Sequence, residues 1–228
     1  NNKSVESVSF FTGDKLNHAQ ANKEVILSAG AIGSPHLLQI SGIGDSEKIK
    51  NQGIDIVHEL KGVGKNLQDH LMFRPVYKLK NIKSLNRDVE SLYSKFLMGL
   101  QYILKQSGPI TMGASQVCAF TKSDPSRATP NLQFHVQPLS TDILGVTPMH
   151  NFEGITPTVA NIRPTSRGEI NITSNDSRDN PKIKMNYLST EDDRIVAAKS
   201  LKLVRKIMLE TETFKKYQPE EYRPGVHI

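Results

Sequence analysis

The sequence is short of several residue types, and each shortage excludes a class of protein. Trp is absent from the 228 residues, and aromatic side chains make up only 6% of them. The single cysteine, Cys118, excludes an internal disulfide and suits a reducing compartment. No apolar run approaches the ~20 residues of a membrane-spanning helix, and no secretory signal is visible. We therefore expect an intracellular protein, either cytoplasmic or peripherally attached to a membrane, with no transmembrane segment.

Charge gives little indication of a nucleic-acid partner. The net charge of +6 comes from Lys and Arg residues scattered along the chain. Their densest group, between Lys199 and Lys216, follows a helical pattern, which favours a solvated helix face. Zinc-finger spacings and RNA-binding aromatic motifs do not occur, and the histidines lack metal-ligand spacing. We expect neither a nucleic-acid partner nor a metal site.

The most informative stretch spans residues 23–44. Apolar residues 25–27 predict a short buried strand, and the small residues 28–31 that follow suggest a backbone that something large approaches closely. Ser34 and Pro35 predict a cap and a helix start, and Gly42 and Gly44 predict its end. From spacing alone, a turn against a ligand and a tight strand–helix turn without one are equally good interpretations.

The remaining periodicities predict alternating strands and helices. The segment 139–154, between two strands, is a long loop of the kind that is often functional. Predicted strands cover 5–11, 54–60, 72–79, 115–121, 132–136, 156–163 and 169–173; predicted helices cover 46–51, 87–106 and 190–212.

Two glycine-rich loops fail the tests for nucleotide binding. Gly42 and Gly44 are followed by Glu47 where the dinucleotide fingerprint needs a third glycine, and Gly62 and Gly64 are followed by Leu67. A phosphate-binding loop of known type is therefore not predicted anywhere in this sequence.

Two longer motifs carry a family resemblance. Residues 30–44, with the sequence Gly-Ala-Ile-Gly-Ser-Pro-His-Leu-Leu-Gln-Ile-Ser-Gly-Ile-Gly, resemble the second signature of the glucose-methanol-choline (GMC) flavoprotein oxidoreductases. A second block, Gly-Val-Gly-Lys-Asn-Leu-Gln-Asp-His, follows at residues 62–70. Shorter segments at 108–111, 133–135 and 166–168 are similar to sequences of the bacterial choline-dehydrogenase-like branch of this family. The resemblance covers nearly the whole sequence, which looks like the middle portion of such an enzyme.

The resemblance implies a fold and a division into domains. It implies an α/β (α+β) chain: part of a FAD-binding Rossmann-like domain, plus a substrate domain with a mostly antiparallel sheet flanked by helices. Residues 1–71 would form the C-terminal part of the N-terminal FAD-binding region. Residues 72–162 would form the substrate-binding domain, and residues 163–228 would begin the C-terminal region.

The resemblance also assigns functional positions. It implies that FAD is the cofactor and that Ala29 and Gly30 lie against it. In this family a histidine base near flavin N5 removes the hydroxyl proton while hydride passes to the flavin. That histidine follows a Pro-Val-Gly-Thr-Cys-like motif, which this sequence lacks. We therefore expect the catalytic residue beyond Ile228; His227 does not match its context.

Other polar side chains are weaker candidates. His135 and Gln137 alternate on one predicted strand and are substrate-pocket candidates, with a solvent-facing edge strand as the alternative. Asp69 and His70 are expected to act structurally where the two domains join. Cys118 is expected to be a small core residue rather than a reactive thiol.

These features favour an FAD-dependent oxidoreductase that acts on CH–OH groups. The expected reaction is hydride transfer from a primary alcohol to flavin, with choline as the best single substrate and the electron acceptor unknown. Two alternatives stay open: a catalytically incomplete fragment that binds no FAD, or a lyase of the same fold.

Overall fold

The computed structural model describes residues 4–113 and 115–225 of the chain. In chain order the strands are β1 Ser7–Thr12, β2 Lys15–Gln20, β3 Ile43–Gly44, β4 His58–Glu59, β5 Met72–Phe73, β6 Val76–Lys78, β7 Val117–Thr121, β8 Leu132–Gln137, β9 Gly154–Asn161, β10 Glu169–Asn171, β11 Lys182–Lys184 and β12 Glu220–Arg223. The helices are α1 Gly30–Ile40, α2 Ser46–Lys50, α3 Leu85–Asp88, α4 Leu92–Lys105, α5 Glu191–Arg205 and α6 Glu212–Lys215, with a 3₁₀ turn at Pro109–Thr111 and a π-helical turn at Lys206–Glu210.

The chain divides into two compact units. The first unit contains residues 1–68 and 167–187, and the second contains residues 69–166 and 188–228. The predicted fold class is confirmed, because helices accompany a mostly antiparallel sheet. The predicted domain boundaries after residues 71 and 162 stay predictions.

The first unit contains two-stranded sheets and the helices α1 and α2, and α1 packs against β3 and β10. Strands β1 and β2 form an antiparallel hairpin whose turn contains Gly13, with φ of +61°. Strands β3 and β4 pair in parallel, and β10 and β11 pair antiparallel. The Asp45 side chain caps α2 by accepting a hydrogen bond from the Lys48 amide, as cap residues do.

Two sequence predictions in this unit are wrong. Residues 25–27 form no strand in the described chain, because no described strand pairs with them, and Ile26 is 80% exposed. Helix α1 begins at Gly30 rather than after Ser34, so Pro35 lies inside it. The Ser34 hydroxyl, inside the helix, instead accepts a hydrogen bond from the Ala29 amide at 3.0 Å. This bond stabilises the start of the helix.

The second unit is a sheet with a helix packed on it. Its strand order is β12-β6-β9-β8-β7, and β5 also pairs with β9; all of these pairings are antiparallel. Helix α5 packs against β9. The buried core is built from apolar side chains of both layers: Tyr77, Leu79, Leu132, Phe134, Val159, Val196, Val204 and Met208.

Helix α5 has a strong N-terminal cap. The Thr190 hydroxyl accepts from the Asp193 amide, and Glu191, Asp192 and Asp193 occupy the first turn, where the helix dipole favours negative charge. This confirms the helix start predicted from the sequence. The predicted helix at 87–106 is instead split into α3 and α4, because Ser91 caps α4 separately.

Candidate functional site

The predicted cofactor contact lies at the start of α1 in the first unit. Ala29 is the cap residue, and Gly30 is the first helical residue with φ of +76°. That left-handed conformation favours glycine, because an L side chain would strain the backbone there. A Cβ built on Gly30 would meet no atom within 4 Å, and residues 26–32 are exposed. The backbone at this point is therefore open to a large ligand.

A cavity of about 420 Å³ lies beside the N-terminal half of α1. Proline has no N–H, so Pro35 cannot make the helical bond to the carbonyl of Ala31. A second cavity of about 330 Å³ shares Lys65 and Asn66 with the first. The first cavity is lined by Ala31, Pro35, Gly64, Lys65, Asn66, Leu67, Gln68 and Ile170.

Gln39 anchors the C-terminal half of α1. Its buried amide donates to the carbonyl of Ile170 at 2.9 Å and accepts from the amide of Ile172 at 2.8 Å. The side chain thus bonds the backbone of β10 and the residue beyond it, as a neighbouring strand would. A Cβ on Gly64 would lie 2.2 Å from the Ile170 carbonyl oxygen. Only glycine fits at this position.

The Asn66–His70 block begins in the first unit. Leu67 and Gly168 form an antiparallel bridge, with amide-to-carbonyl distances of 3.1 and 2.8 Å. Asn66 takes a left-handed φ of +59°, which asparagine tolerates better than most residues. The structural role expected of Asp69 and His70 stays a prediction.

Two lysines surround one carboxylate on β10. Lys48 Nζ donates to Glu169 Oε2 at 3.1 Å and to Asn171 Oδ1 at 2.7 Å, and Lys65 also pairs with Glu169. The hydrogen bond from Lys65, then that from Lys48, lowers the pKa of Glu169 to about 2. Lys65 and Glu169 line the second cavity, and the whole cluster connects three segments of the first unit.

The substrate-pocket candidates lie on one face of the sheet in the second unit. His135 is paired with Cys118 on one side and Thr158 on the other, and Gln137 is paired with Thr156. Directly opposite residues point to the same side of an antiparallel sheet. Leu132 and Phe134 point to the other side, into the core under α5. The alternation predicted for β8 is therefore present.

Gln137 is buried and makes hydrogen bonds in two directions. Its Oε1 accepts from Arg74 Nη2 at 3.1 Å, and its Nε2 donates to Ser115 Oγ at 3.2 Å. The solvent-facing edge strand considered as an alternative is wrong for this residue, because β8 lies between β7 and β9 and Gln137 is only 6% exposed. Gln137 holds the Arg74 guanidinium on this face of the sheet.

Thr158 lies beside His135, on the neighbouring strand β9. The residue is 2% exposed, and its Oγ1 has no hydrogen-bond partner within residues 4–113 and 115–225. Buried polar atoms are normally paired, so an unpaired one points to a missing partner.

Cys118 does not lie in the core as predicted. It is exposed on β7, on the same face as His135, and its Sγ accepts a hydrogen bond from Gln133 at 3.4 Å. The apolar run around it alternates between the two faces of an edge strand, so its apolar neighbours do not bury the thiol.

His150 lies in the loop predicted to be functional, and its contacts there are structural. Its ring nitrogens contact Ser140 Oγ at 3.1 Å and Asp142 Oδ1 at 3.0 Å, and its ring stacks on Phe152. The fully buried Asn86 donates to the carbonyl oxygens of Ser140 and His150, which closes this loop.

Neither a metal centre nor a membrane span can be assigned from the described part of the chain. Over residues 4–113 and 115–225, no group of three or more His, Cys, Asp or Glu side chains could hold a metal ion. In the same ranges, no helix has the length and apolar character needed to cross a bilayer.

Sequence reasoning missed the roles of Gln39, Arg74 and Thr158. Gln39 lay within the helix predicted from the family signature, where the motif gave no sign of a buried polar contact. Arg74 and Thr158 were single polar residues in predicted strands. Strand alternation could have placed Thr158 on the His135 face, but only pairing with β9 shows that it is buried.

Comparison with known proteins agrees with this architecture. Two family models, both described as GMC oxidoreductase, match residues 1–72 and residues 164–227. The "Oxygen-dependent choline dehydrogenase" of Photobacterium profundum is 37% identical over 227 residues, which is 100% of this chain and 39% of that protein. The protein of the same name from Vibrio vulnificus is 35% identical over 226 residues, 99% of this chain and 40% of that protein. The chain thus spans about two-fifths of the length of these relatives.

Solved structures share the fold. A formate oxidase superposes with a TM-score of 0.87 at 23% identity, covering 97% of this chain and 43% of that one. A pyridoxine 4-oxidase from Mesorbium loti gives 0.77 at 22% identity, covering 99% of this chain and 40% of that one.

Proposed function

The chain belongs to the GMC oxidoreductase family, and we propose that the whole protein is an FAD-dependent oxidoreductase acting on the CH–OH group of a primary alcohol. The family predicted from the sequence is confirmed. The cofactor, the substrate and the roles of single residues are proposals for the whole protein, because this chain matches only part of its relatives.

The start of α1 is the observation that carries the cofactor assignment. Ala29 and Gly30 have no bulk, Gly30 faces open space, and the first N–H groups of an α-helix lack intrahelical partners. A flat, extended cofactor can approach such a backbone closely, so the residues present fit FAD. When bound, FAD supplies the acceptor for the hydride that leaves the alcohol carbon. Ala29 and Gly30 hold and orient it.

The polar face of the second unit supports the substrate assignment. His135 and Gln137 share this face with Arg74 and Thr158, and Arg74 donates a hydrogen bond to Gln137. Such groups suit the binding and orientation of a small alcohol. Choline is the substrate suggested by the names of the curated relatives.

The catalytic base is proposed to lie in a part of the whole protein that these residues do not include. No candidate for it emerges on the described faces, and the relatives are much longer than the matched part. Two alternatives follow from the same observation: a catalytically incomplete protein, or a lyase that keeps FAD without net oxidation.

We further propose an intracellular location, because the single exposed Cys118 suits a reducing compartment.

A flavin titration tests the proposed function. The whole protein, purified and reconstituted with FAD, should show flavin absorbance that is bleached when a primary alcohol is added without oxygen. A Gly30→Val variant should bind FAD at least tenfold more weakly, since a branched side chain enters the open space and strains the backbone. A protein that takes up no FAD would overturn the proposal; uptake without bleaching by any alcohol would favour the lyase or the incomplete protein.

A further inference from the structure

Arg74, an arginine on the polar face, forms no ion pair with any described residue. Arg74 is half-buried, and its guanidinium donates to the neutral amide of Gln137 at 3.1 Å. No carboxylate lies within 4.0 Å of Arg74 in the described parts of the chain. A guanidinium keeps its charge at all ordinary pH values and has five N–H donors. Arg74 therefore has donors to spare for another acceptor.

The polar face carries an ion pair between Lys78 on β6 and Glu220 on β12. The side chains on β5, β7, β8 and β9 that share this face with Arg74 include no acidic residue among those described. Besides His135, Gln137 and Thr158, they include Met72, Phe120, Gln133 and Thr156. A quaternary ammonium group is bound through carboxylates or through the open faces of aromatic rings. Beside Arg74 this face provides one exposed phenylalanine, Phe120, while the rings of Phe152 and Tyr222 already face the Lys78 ammonium at 5.4 and 5.0 Å. The Arg74 cation is the opposite of what a quaternary ammonium group needs.

Thr158 adds a second donor at the same place. Phe73 pairs with Val159, so the next step of the antiparallel register places Arg74 beside Thr158. The buried Thr158 hydroxyl has no partner within the described residues, and His135 flanks it on the other side. Arg74, Thr158 and His135 thus form a row of polar groups in which a charged donor and a free hydroxyl are adjacent.

We propose that this row binds an anionic oxygen group of the substrate, a carboxylate being the group that fits best, and that it discriminates against quaternary ammonium. An Arg guanidinium and a hydroxyl together satisfy a carboxylate with charge-assisted hydrogen bonds. The inference rests on the proposed function, keeps a primary alcohol as the substrate class, and replaces choline with an alcohol that carries a carboxylate. Arg74 and Thr158 are then specificity-determining residues, and Gln137 positions Arg74.

Equilibrium binding tests the inference without requiring turnover. Calorimetric titration of the FAD-loaded whole protein with propanoate and with tetramethylammonium, at equal ionic strength, should show propanoate binding at least tenfold more tightly. Arg74→Gln should weaken propanoate binding by about tenfold to a hundredfold, as expected for loss of a charged hydrogen-bond donor. Lys95→Gln, which removes a charge on α4, should leave it unchanged. Tighter binding of tetramethylammonium, or equal effects of the two variants, overturns the inference.

A second variant keeps the inference testable if Arg74→Gln does not fold. Thr158→Val has nearly the same shape and removes a hydroxyl that has no partner among the described residues, so the free energy of unfolding should not fall. Propanoate affinity should nevertheless drop by about threefold to tenfold. A loss of stability with unchanged propanoate affinity would show that the hydroxyl serves the fold, and it would overturn the assignment of Thr158.

Flavin reduction separates this inference from the proposed function. Anaerobic mixing with 3-hydroxypropanoate should reduce the flavin faster than mixing with choline. Reduction of the flavin by choline and not by 3-hydroxypropanoate would overturn the inference and would agree with the proposed function. Arg74-dependent propanoate binding without flavin reduction by any alcohol would overturn the proposed function and support the anion site.

Discussion

Each of the two units of the chain is stabilised internally by a different kind of contact. In the second unit an antiparallel sheet and α5 enclose a continuous apolar core around Tyr77 and Val159. In the first unit, among the described residues, the buried apolar side chains are Ile49, Ile170 and Ile172. Polar and backbone contacts join its segments instead: Gln39 to β10, and two lysines to Glu169.

The fold of the second unit thus depends mainly on apolar packing, and the fold of the first unit depends mainly on directional polar contacts. An apolar core is non-directional and tolerates changes that preserve volume. A buried amide or a glycine against a carbonyl oxygen tolerates almost no change, because each atom has one partner. We therefore expect large-to-small changes to matter most in the second unit, and polar or glycine changes to matter most in the first.

The largest effect should follow from opening the core of the second unit. Leu132 has 0% exposure, so Leu132→Ala should lower the free energy of unfolding by roughly 2–5 kcal/mol, through lost burial and a cavity. Urea denaturation followed by circular dichroism measures this. Leu92→Ala is the control, since Leu92 is 82% exposed and should change little. Equal losses for both variants would contradict the burial of Leu132 in this core.

The next largest effect should come from the buried amide of the first unit. Gln39→Ala leaves the Ile170 carbonyl and the Ile172 amide without their partners, at a cost of about 2–4 kcal/mol. Hydrogen exchange of the Ile172 amide should accelerate strongly, and the exposed Gln20→Ala should not change it. If Ile172 stays protected in Gln39→Ala, the amide does not join α1 to this segment.

Substitutions at two glycines separate the stability cost of backbone strain from the added cost of a steric clash. Gly30→Ala should cost about 1 kcal/mol, since its φ is positive but its Cβ would meet open space. Gly64→Ala should cost more, because the same strain is joined by a Cβ 2.2 Å from the Ile170 carbonyl oxygen. Thermal unfolding of both variants gives the order. A Gly30→Ala loss as large as that of Gly64→Ala would mean that the space over Gly30 is filled.

The smallest effect should be the pH dependence from Glu169. Its pKa of about 2 lies below the unfolded value, so its contribution is full above about pH 5 and disappears as pH falls through 2. Because the cluster is partly exposed, we expect about 0.5 kcal/mol. The unfolding free energy of Glu169→Gln relative to wild type should show this difference at about pH 6 and lose it near pH 2. The exposed Glu24→Gln serves as the control, and a pH-independent difference would argue against an ion pair.

Much of the local structure could be predicted from the sequence. The α5 cap at Thr190, the alternation of β8 and the hairpin turn at Gly13 follow from signals a few residues long. The start of α1 was misplaced because Ser34 and Pro35 form a typical helix-start pair, whereas here the cap bond reaches back to Ala29. The strand expected at 25–27 failed because an apolar run does not reveal whether a pairing strand is available.

Two long motifs identify the family from the sequence, and periodicity and caps locate most of the elements. Which distant residues meet is visible only in the folded chain: Gln39 bonds Ile170, 131 positions away, and Arg74 bonds Gln137, 63 positions away. The folded chain also shows that the Thr158 hydroxyl is buried without a partner among the described residues. The reason is physical, since a local pattern reflects the period of one element, whereas a polar site depends on the register between elements that only folding sets.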